Sequence, residues 1–120
     1  MKRGYHFYVY IISNYERTTF YIGFTNHIVR RVIEHKFGLG SNFTKKYKLK
    51  YLIYFEEYQY ANQAIMREKE LKGWTRKKKL DLIKNVNLEM KDLGKELFKD
   101  YGITEEEAKE YLEINKQQYE

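Results

Sequence analysis

The elements legible in the sequence follow the order β-β-α-β-α-α. That order predicts an α+β domain: a small three-stranded, mostly antiparallel sheet flanked by helices, with a C-terminal helical extension. Two observations carry the prediction. Strand-like runs at residues 5–13 and 19–23 are separated by only the five residues Asn14 to Thr18, too few for the crossover that a parallel pair needs. Helical periodicity then sets in near Ile28 and returns after a third strand-like run at residues 51–55.

The first run, Tyr-His-Phe-Tyr-Val-Tyr-Ile-Ile-Ser, is aromatic and β-branched almost throughout, the composition of a strand buried on both faces. Alternation puts Tyr8 and Tyr10 on one face and Phe7, Val9 and Ile11 on the other. The second run ends in Gly23, where the backbone is free to turn sharply; Tyr21 and Gly23 point opposite to Phe20 and Ile22. Thr25 or Asn26 is placed to cap the helix behind it. That helix, from about Ile28 to Phe37, gathers Ile28, Val29, Val32 and Ile33 into an apolar arc. Arg31 and His35, one turn apart, sit at the arc's edge, with Arg30 and Glu34 on the solvent side.

Residues 38–50 hold two glycines and then a lysine-rich run, and read as a flexible cationic connection. Tyr51 to Phe55 forms the third strand, which Glu56, Glu57 and Tyr58 leave. A second helix, ending near Gly73, has Ala61, Ala64, Ile65 and Leu71 as its inward stripe, and Glu68 falls near the middle of that stripe. A third helix from about Thr75 opens with the basic run Arg76 to Lys79 and turns Leu80 and Ile83 inward. Residues 88–98 are weakly helical, and Thr104 with Glu107 matches the capping box of a final amphipathic helix. The division that follows is a domain over residues 1–93 and an acidic helical extension over residues 94–120.

Net charge is distributed unevenly. The chain carries +6 overall, but residues 1–99 hold 21 basic and 10 acidic side chains, a net of +11. The last twenty-one residues hold seven acids and two lysines. A body this basic suits either a polyanionic partner or a plainly solvated surface. Lys45, Lys46, Lys48, Arg76, Lys77, Lys78 and Lys79 are the candidate contacts to a nucleic-acid backbone, of the kind that confer salt-dependent affinity without reading sequence. The acidic tail, residues 104–118, is a candidate to fold back over that face. There are no cysteines, hence neither disulfides nor a thiolate metal site. The N-terminal residues lack the apolar segment of a signal peptide and no stretch is long enough to span a bilayer, so the expectation is a soluble cytoplasmic protein without a membrane partner.

Glu68 carries two readings. A carboxylate on an inward stripe needs a cation, either Arg31 or Arg67 in a structural salt bridge, or a Mg²⁺ ion satisfied by one carboxylate, waters and phosphate oxygens. Arg31 suits a phosphate whose charge grows in a transition state. His35 reads equally as a partly buried histidine or as a site residue. Trp74, at a helix end, reads either as a ring for stacking on a base or, the favoured reading, as the pin between one helix and the next.

Taken together, Val9-Tyr10, Tyr21-Ile22-Gly23, Arg31 and Glu68 within Arg67-Glu68-Lys69 resemble the GIY-YIG nuclease superfamily, and in particular its small single-domain bacterial members, over roughly residues 5–93. The resemblance implies a metal-dependent endonuclease acting on DNA, with Tyr10, Tyr21, Arg31 and His35 catalytic, Glu68 holding one Mg²⁺ or Mn²⁺, and Asn85 or Asn87 as the family's late asparagine. It implies Tyr21 as acceptor of the proton of an attacking water and Tyr10 as its orienting partner, a phenolate being favoured by a nearby Arg⁺ and metal. The alternative is a nucleic-acid-binding module of the same fold, for DNA or RNA, with weak or lost cleavage; an interaction protein pairing through its basic face and acidic tail is a third. Tyr8 stands where the family's first motif has glycine, and Phe24 where repair enzymes of the superfamily carry a lysine.

Overall fold

The computed structural model describes residues 6–115; the expected strand start at Tyr5 and the end of the acidic tail lie outside the described residues. Three strands, β1 (Phe7–Ser13), β2 (Phe20–Thr25) and β3 (Tyr51–Tyr58), form one antiparallel sheet in the order β2-β1-β3. Six helices accompany it: α1 (Ile28–Lys36), α2 (Asn42–Lys46), α3 (Ala61–Lys72), α4 (Arg76–Val86), α5 (Gly94–Asp100) and α6 (Glu105–Ile114). The expected α+β architecture is what the chain adopts. No helix among the described residues is long and apolar enough to cross a membrane.

β1 is the central strand and is buried on both faces, as its composition requires. On one face Val9, Ile11, Ile22, Ile53 and Tyr54 pack with Ala64 and Leu71 of α3 and Ile83 of α4. On the other, Tyr8, Tyr10, Ile12 and Leu52 pack with the α1 arc, with Leu97 and Phe98 of α5 and with Ala108 of α6. The fully buried Ile11, Ile12, Ile53 and Leu52 each contribute about 1.5–3 kcal/mol by leaving water.

Several boundaries differ from those the sequence suggests, each for a local reason. β2 does not end at Gly23 but pairs on to Thr25, opposite Tyr8. The cap of α1 is His27, whose Nδ1 accepts from the Arg30 amide at 3.2 Å; Thr25 instead accepts the His27 amide at 3.1 Å. The connection after α1 is not uniformly flexible: Ser41 caps the five-residue helix α2, which places Thr44 in the interior. β3 continues to Tyr58 because Glu56, far from leaving the sheet, is held in it by Arg67 and by the phenols of Tyr54 and Tyr58. Glu34 is buried rather than on the solvent side, and Ile65 is exposed, which leaves Ala64 and Leu71 as the buried positions of α3.

α6 and the residues before it face the α1 flank: Ile103, Ala108 and Tyr111 belong to the same core cluster as Val29 and Ile33 and line a groove of about 310 Å³ with them, and Lys36 pairs with Glu105 at 3.5 Å. The described part of the acidic tail is thus seated on α1. None of the seven candidate backbone-binding cations lines that contact.

Candidate active site

The strand register creates the site. Tyr10 lies directly across from Gly23, and Tyr21, two residues back along β2, shares the Gly23 face. A Cβ on Gly23 would come within 2.3 Å of the Tyr10 ring and hydroxyl. Gly23 therefore serves here to leave room for a phenol, where the sequence suggested a turn. With that space free, the Tyr10 and Tyr21 rings lie 6.5 Å apart, centroid to centroid.

α1 supplies the third ring. His35 is 5.6 Å from Tyr10 and 6.3 Å from Tyr21 by centroids, and its Nε2 is hydrogen-bonded with the Tyr10 hydroxyl at 3.2 Å. Both members of that bond are sealed from water, Tyr10 at 3% and His35 at 4% exposure. The seal over His35 is Gly40, where a Cβ would meet His35 Nδ1 and Thr44 Oγ1 at 2.5 Å each. Tyr21 is half-buried, so it is the phenol of the pair that a substrate can reach.

Burial and Arg31 set the protonation states. Burial first, and the Arg31 charge second, push the His35 pKa down to about 4, so the imidazole is neutral at physiological pH. Burial drives the Tyr10 hydroxyl well above the usual phenol range, although the Arg31 charge works the other way. The expectation that cation proximity yields a phenolate is therefore corrected for Tyr10 in the protein alone: desolvation outweighs Arg31. Tyr21, Glu34 and Glu68 all raise that pKa through their fields. The Tyr10, Tyr21 and His35 rings thus form one cluster, with the Arg31 charge acting on Tyr10 and His35 and the Glu68 charge acting on Tyr10.

Arg31 is held by Glu34, Nη1 to Oε1 at 3.4 Å, while its Nε is buried without a partner among the described residues. Glu68 pairs with neither Arg31 nor Arg67, the partners its position suggested. It meets Lys72 one turn on at 3.6 Å, with 20% of its side chain exposed. Arg67 is committed to Glu56 and Glu70 and lies over the Trp74 ring. Trp74 joins the α3–α4 core as expected. Among the described residues no three histidines, cysteines or carboxylates converge as a metal cluster. A partly exposed carboxylate held by one lysine suits a hard divalent ion that keeps most of its waters, so the donor chemistry at Glu68 fits Mg²⁺ or Mn²⁺.

The candidate backbone contacts divide. Lys45, Lys46 and Lys48 are exposed on or just after α2, Lys46 lying over the Tyr47 ring, and Lys79 joins Lys72, Tyr21 and Phe43 around a groove of about 280 Å³ beside β2. Arg76 instead donates to the Thr18 carbonyl at 2.9 Å and covers Phe20; Lys77 pairs with Asp81, and Lys78 lies over Trp74. Asn87 is buried and its amide ties Ile53 to the Lys91 backbone, while Asn85 is exposed. Lys72, Phe43, Gly40 and Thr44 were not singled out in the sequence. Only Lys72, four residues after Glu68, had a signal there.

The GIY-YIG catalytic domain family matches residues 6–81. A UPF0213 protein of Staphylococcus aureus strain Mu3 is 38% identical over 77 residues, which make up 64% of this chain and 93% of that protein; relatives in strains Mu50 and N315 match to the same extent. The solution NMR structure of a UPF0213 protein from Bacillus halodurans is 27% identical, aligns with 68% of this chain and 86% of its own, and gives a TM-score of 0.46.

Proposed function

The chain belongs to the GIY-YIG catalytic domain family, a nuclease family, and from that premise we propose that it is a metal-dependent endonuclease that hydrolyses phosphodiester bonds of DNA. The observation that carries the reading is the buried Tyr10–His35 hydrogen bond lying beside the accessible ring of Tyr21, with Arg31 and Glu68 within electrostatic reach. Tyr21 is the group placed to meet an attacking water. Tyr10, kept protonated by burial, takes a hydrogen bond from His35 Nε2 in this reading and so keeps its own proton to orient that water or a phosphate oxygen. Neutral His35 fixes the Tyr10 hydroxyl through Nε2. Arg31 balances the charge that gathers on the phosphate, as preorganised donors do best in a site that excludes water.

Glu68 would hold the divalent ion, with Lys72 its only described ion-pair partner. When bound, that ion supplies stabilisation of the leaving oxygen, in a one-metal rather than two-metal arrangement since a single carboxylate is available. Lys45, Lys46, Lys48 and Lys79 are assigned to the nucleic-acid backbone, with Arg76, Lys77 and Lys78 contributing to the general field.

The test is incubation of the protein with supercoiled, branched and single-stranded DNA and with RNA, in Mg²⁺, in Mn²⁺ and in EDTA, beside Glu68→Ala. Cleavage of DNA that requires the metal and vanishes in the variant is expected. Undiminished metal-dependent cleavage by Glu68→Ala rules the assignment out.

A further inference from the structure

The surface next to Tyr21 carries an aromatic pair that the cleavage chemistry leaves unused. The Phe43 ring lies 6.2 Å from the Tyr21 ring, and the Tyr47 ring 4.8 Å from Phe43. Phe43 and Tyr47 are 44% and 43% exposed, two adjoining rings beside the reachable Tyr21 rather than a single scattered one.

The segment that presents them is well anchored. Thr44, between the two rings, is buried; its amide donates to Ser41 Oγ at 3.3 Å and its carbonyl accepts from the Leu49 amide at 2.9 Å. The close fit of Gly40 against both His35 and Thr44 fastens α2 to the same buried histidine that holds Tyr10. The rings are thus displayed at a fixed position relative to the site.

Their surroundings define the ligand chemistry. The groove between Tyr21 and Phe43 is flanked by Lys72 and Lys79; Lys45 and Lys46 are exposed on the same short helix as Phe43, and Lys46 lies over one side of the Tyr47 ring at 5.4 Å. Flat apolar faces rimmed by ammonium groups complement a molecule that is planar and apolar in one part and anionic in the next, which describes a nucleotide unit.

We propose that Phe43 and Tyr47 form a nucleobase subsite: the base flanking the scissile phosphate, turned out of its own stack, lies on these rings while Lys72 and Lys79 meet the adjoining phosphates. The subsite rests on the endonuclease reading above and adds to it a grip on one base. Stacking of this kind is tolerant of sequence because every base has a π face. It favours positions where a base leaves its neighbours at little cost, such as loops, mismatches and single strands.

The test uses DNA oligonucleotides with the fluorescent base 2-aminopurine placed at successive positions, titrated with wild-type protein in EDTA, and then cut in Mg²⁺. Quenching at one position adjoining the cut is expected. It should disappear in Phe43→Leu and return in Phe43→Trp, with affinity about tenfold weaker in the leucine variant. Tyr47→Leu, made separately, should weaken binding in the same direction, and Tyr60→Leu, an exposed ring at the start of α3, should not. Thermal melts of each variant establish that it is folded. Quenching and affinity that persist in both folded leucine variants overturn the subsite, while metal-dependent cutting by those variants leaves the endonuclease reading standing. Failure of the wild type both to bind and to cut any nucleic acid removes both.

Discussion

On the α3 side of the sheet, the Glu56 carboxylate receives Arg67 Nε at 2.9 Å and Nη2 at 3.0 Å, along with the hydroxyls of Tyr54 and Tyr58. On the α1 side, a group of similar size is left incomplete: His35 Nδ1 and Arg31 Nε are buried with no partner among the described residues. Burial works against the Glu56 charge, yet the bonds from Arg67, Tyr54 and Tyr58 outweigh it and lower its pKa. Nothing equivalent offsets burial at His35, whose pKa falls. The difference separates two uses of interior polarity. A saturated network fixes α3 on β3, and so fixes the helix from which Glu68 projects. Under the proposed function, the unspent Arg31 Nε donor beside the two phenols is capacity held for an anion that the protein itself does not supply.

Substitution can break that contrast. The largest effect is expected on the incomplete side and chiefly in rate: Arg31→Ala should lower cleavage by about 10²–10³-fold, the range for loss of one transition-state donor. Its loss of melting temperature should be smaller than on the saturated side, because its ion pair with buried Glu34 is single and longer, at 3.4 Å. On the saturated side the reverse holds. Glu56→Ala leaves Arg67 without its main counter-charge in a largely buried position, and should cost about 3–5 kcal/mol in urea unfolding; a loss below about 1 kcal/mol would show that the network is ornamental.

Titration sharpens the comparison. The folded pKa of His35, about 4, lies below the ordinary value of 6.5, so the unfolded chain binds the proton more readily. Stability contributed by the neutral imidazole is therefore complete above about pH 6.5 and drains away as pH falls toward 4, by up to about 3 kcal/mol. Unfolding of wild type and His35→Phe, compared across pH 4–7, should show this slope in the wild type and a shallower one in the variant. The smallest effect belongs to the seal. Gly40→Ala should cost about 1–3 kcal/mol through overpacking and reduce cleavage by moving His35 from Tyr10, while weakening DNA binding in EDTA less than Phe43→Leu does, since both α2 rings remain.

Much of this was legible beforehand, and the residues show why. Period-two alternation in β1 and β2 is a strong signal, so the shared face of Tyr8, Tyr10, Tyr21 and Gly23 could be read directly. The α1 arc was equally clear, yet Glu34 was misplaced because periodicity assigns angles and knows nothing of Arg31 reaching back to it. Glu56 looked like the end of a strand because its partner, Arg67, lies eleven residues away on another element. Gly40 and α2 were invisible for a related reason. Five residues are too few for a helical period to emerge, and the contact with His35 exists only in three dimensions. Lysine spacing identified a cationic surface but could not tell which ammonium groups the protein spends internally, as it does Lys77 and Lys78.

The seating of the Tyr10 ring on Gly23 makes the two tripeptides of this chain genetically dependent on each other. Any side chain at position 23 collides with an aromatic ring at position 10, so Gly23→Ala is damaging only while that ring is present. Paired with Tyr10→Ala it becomes nearly silent for stability, a case of magnitude epistasis between residues thirteen apart. A descendant that had abandoned its first phenol would be released from keeping the glycine, and the two losses would be expected to travel together.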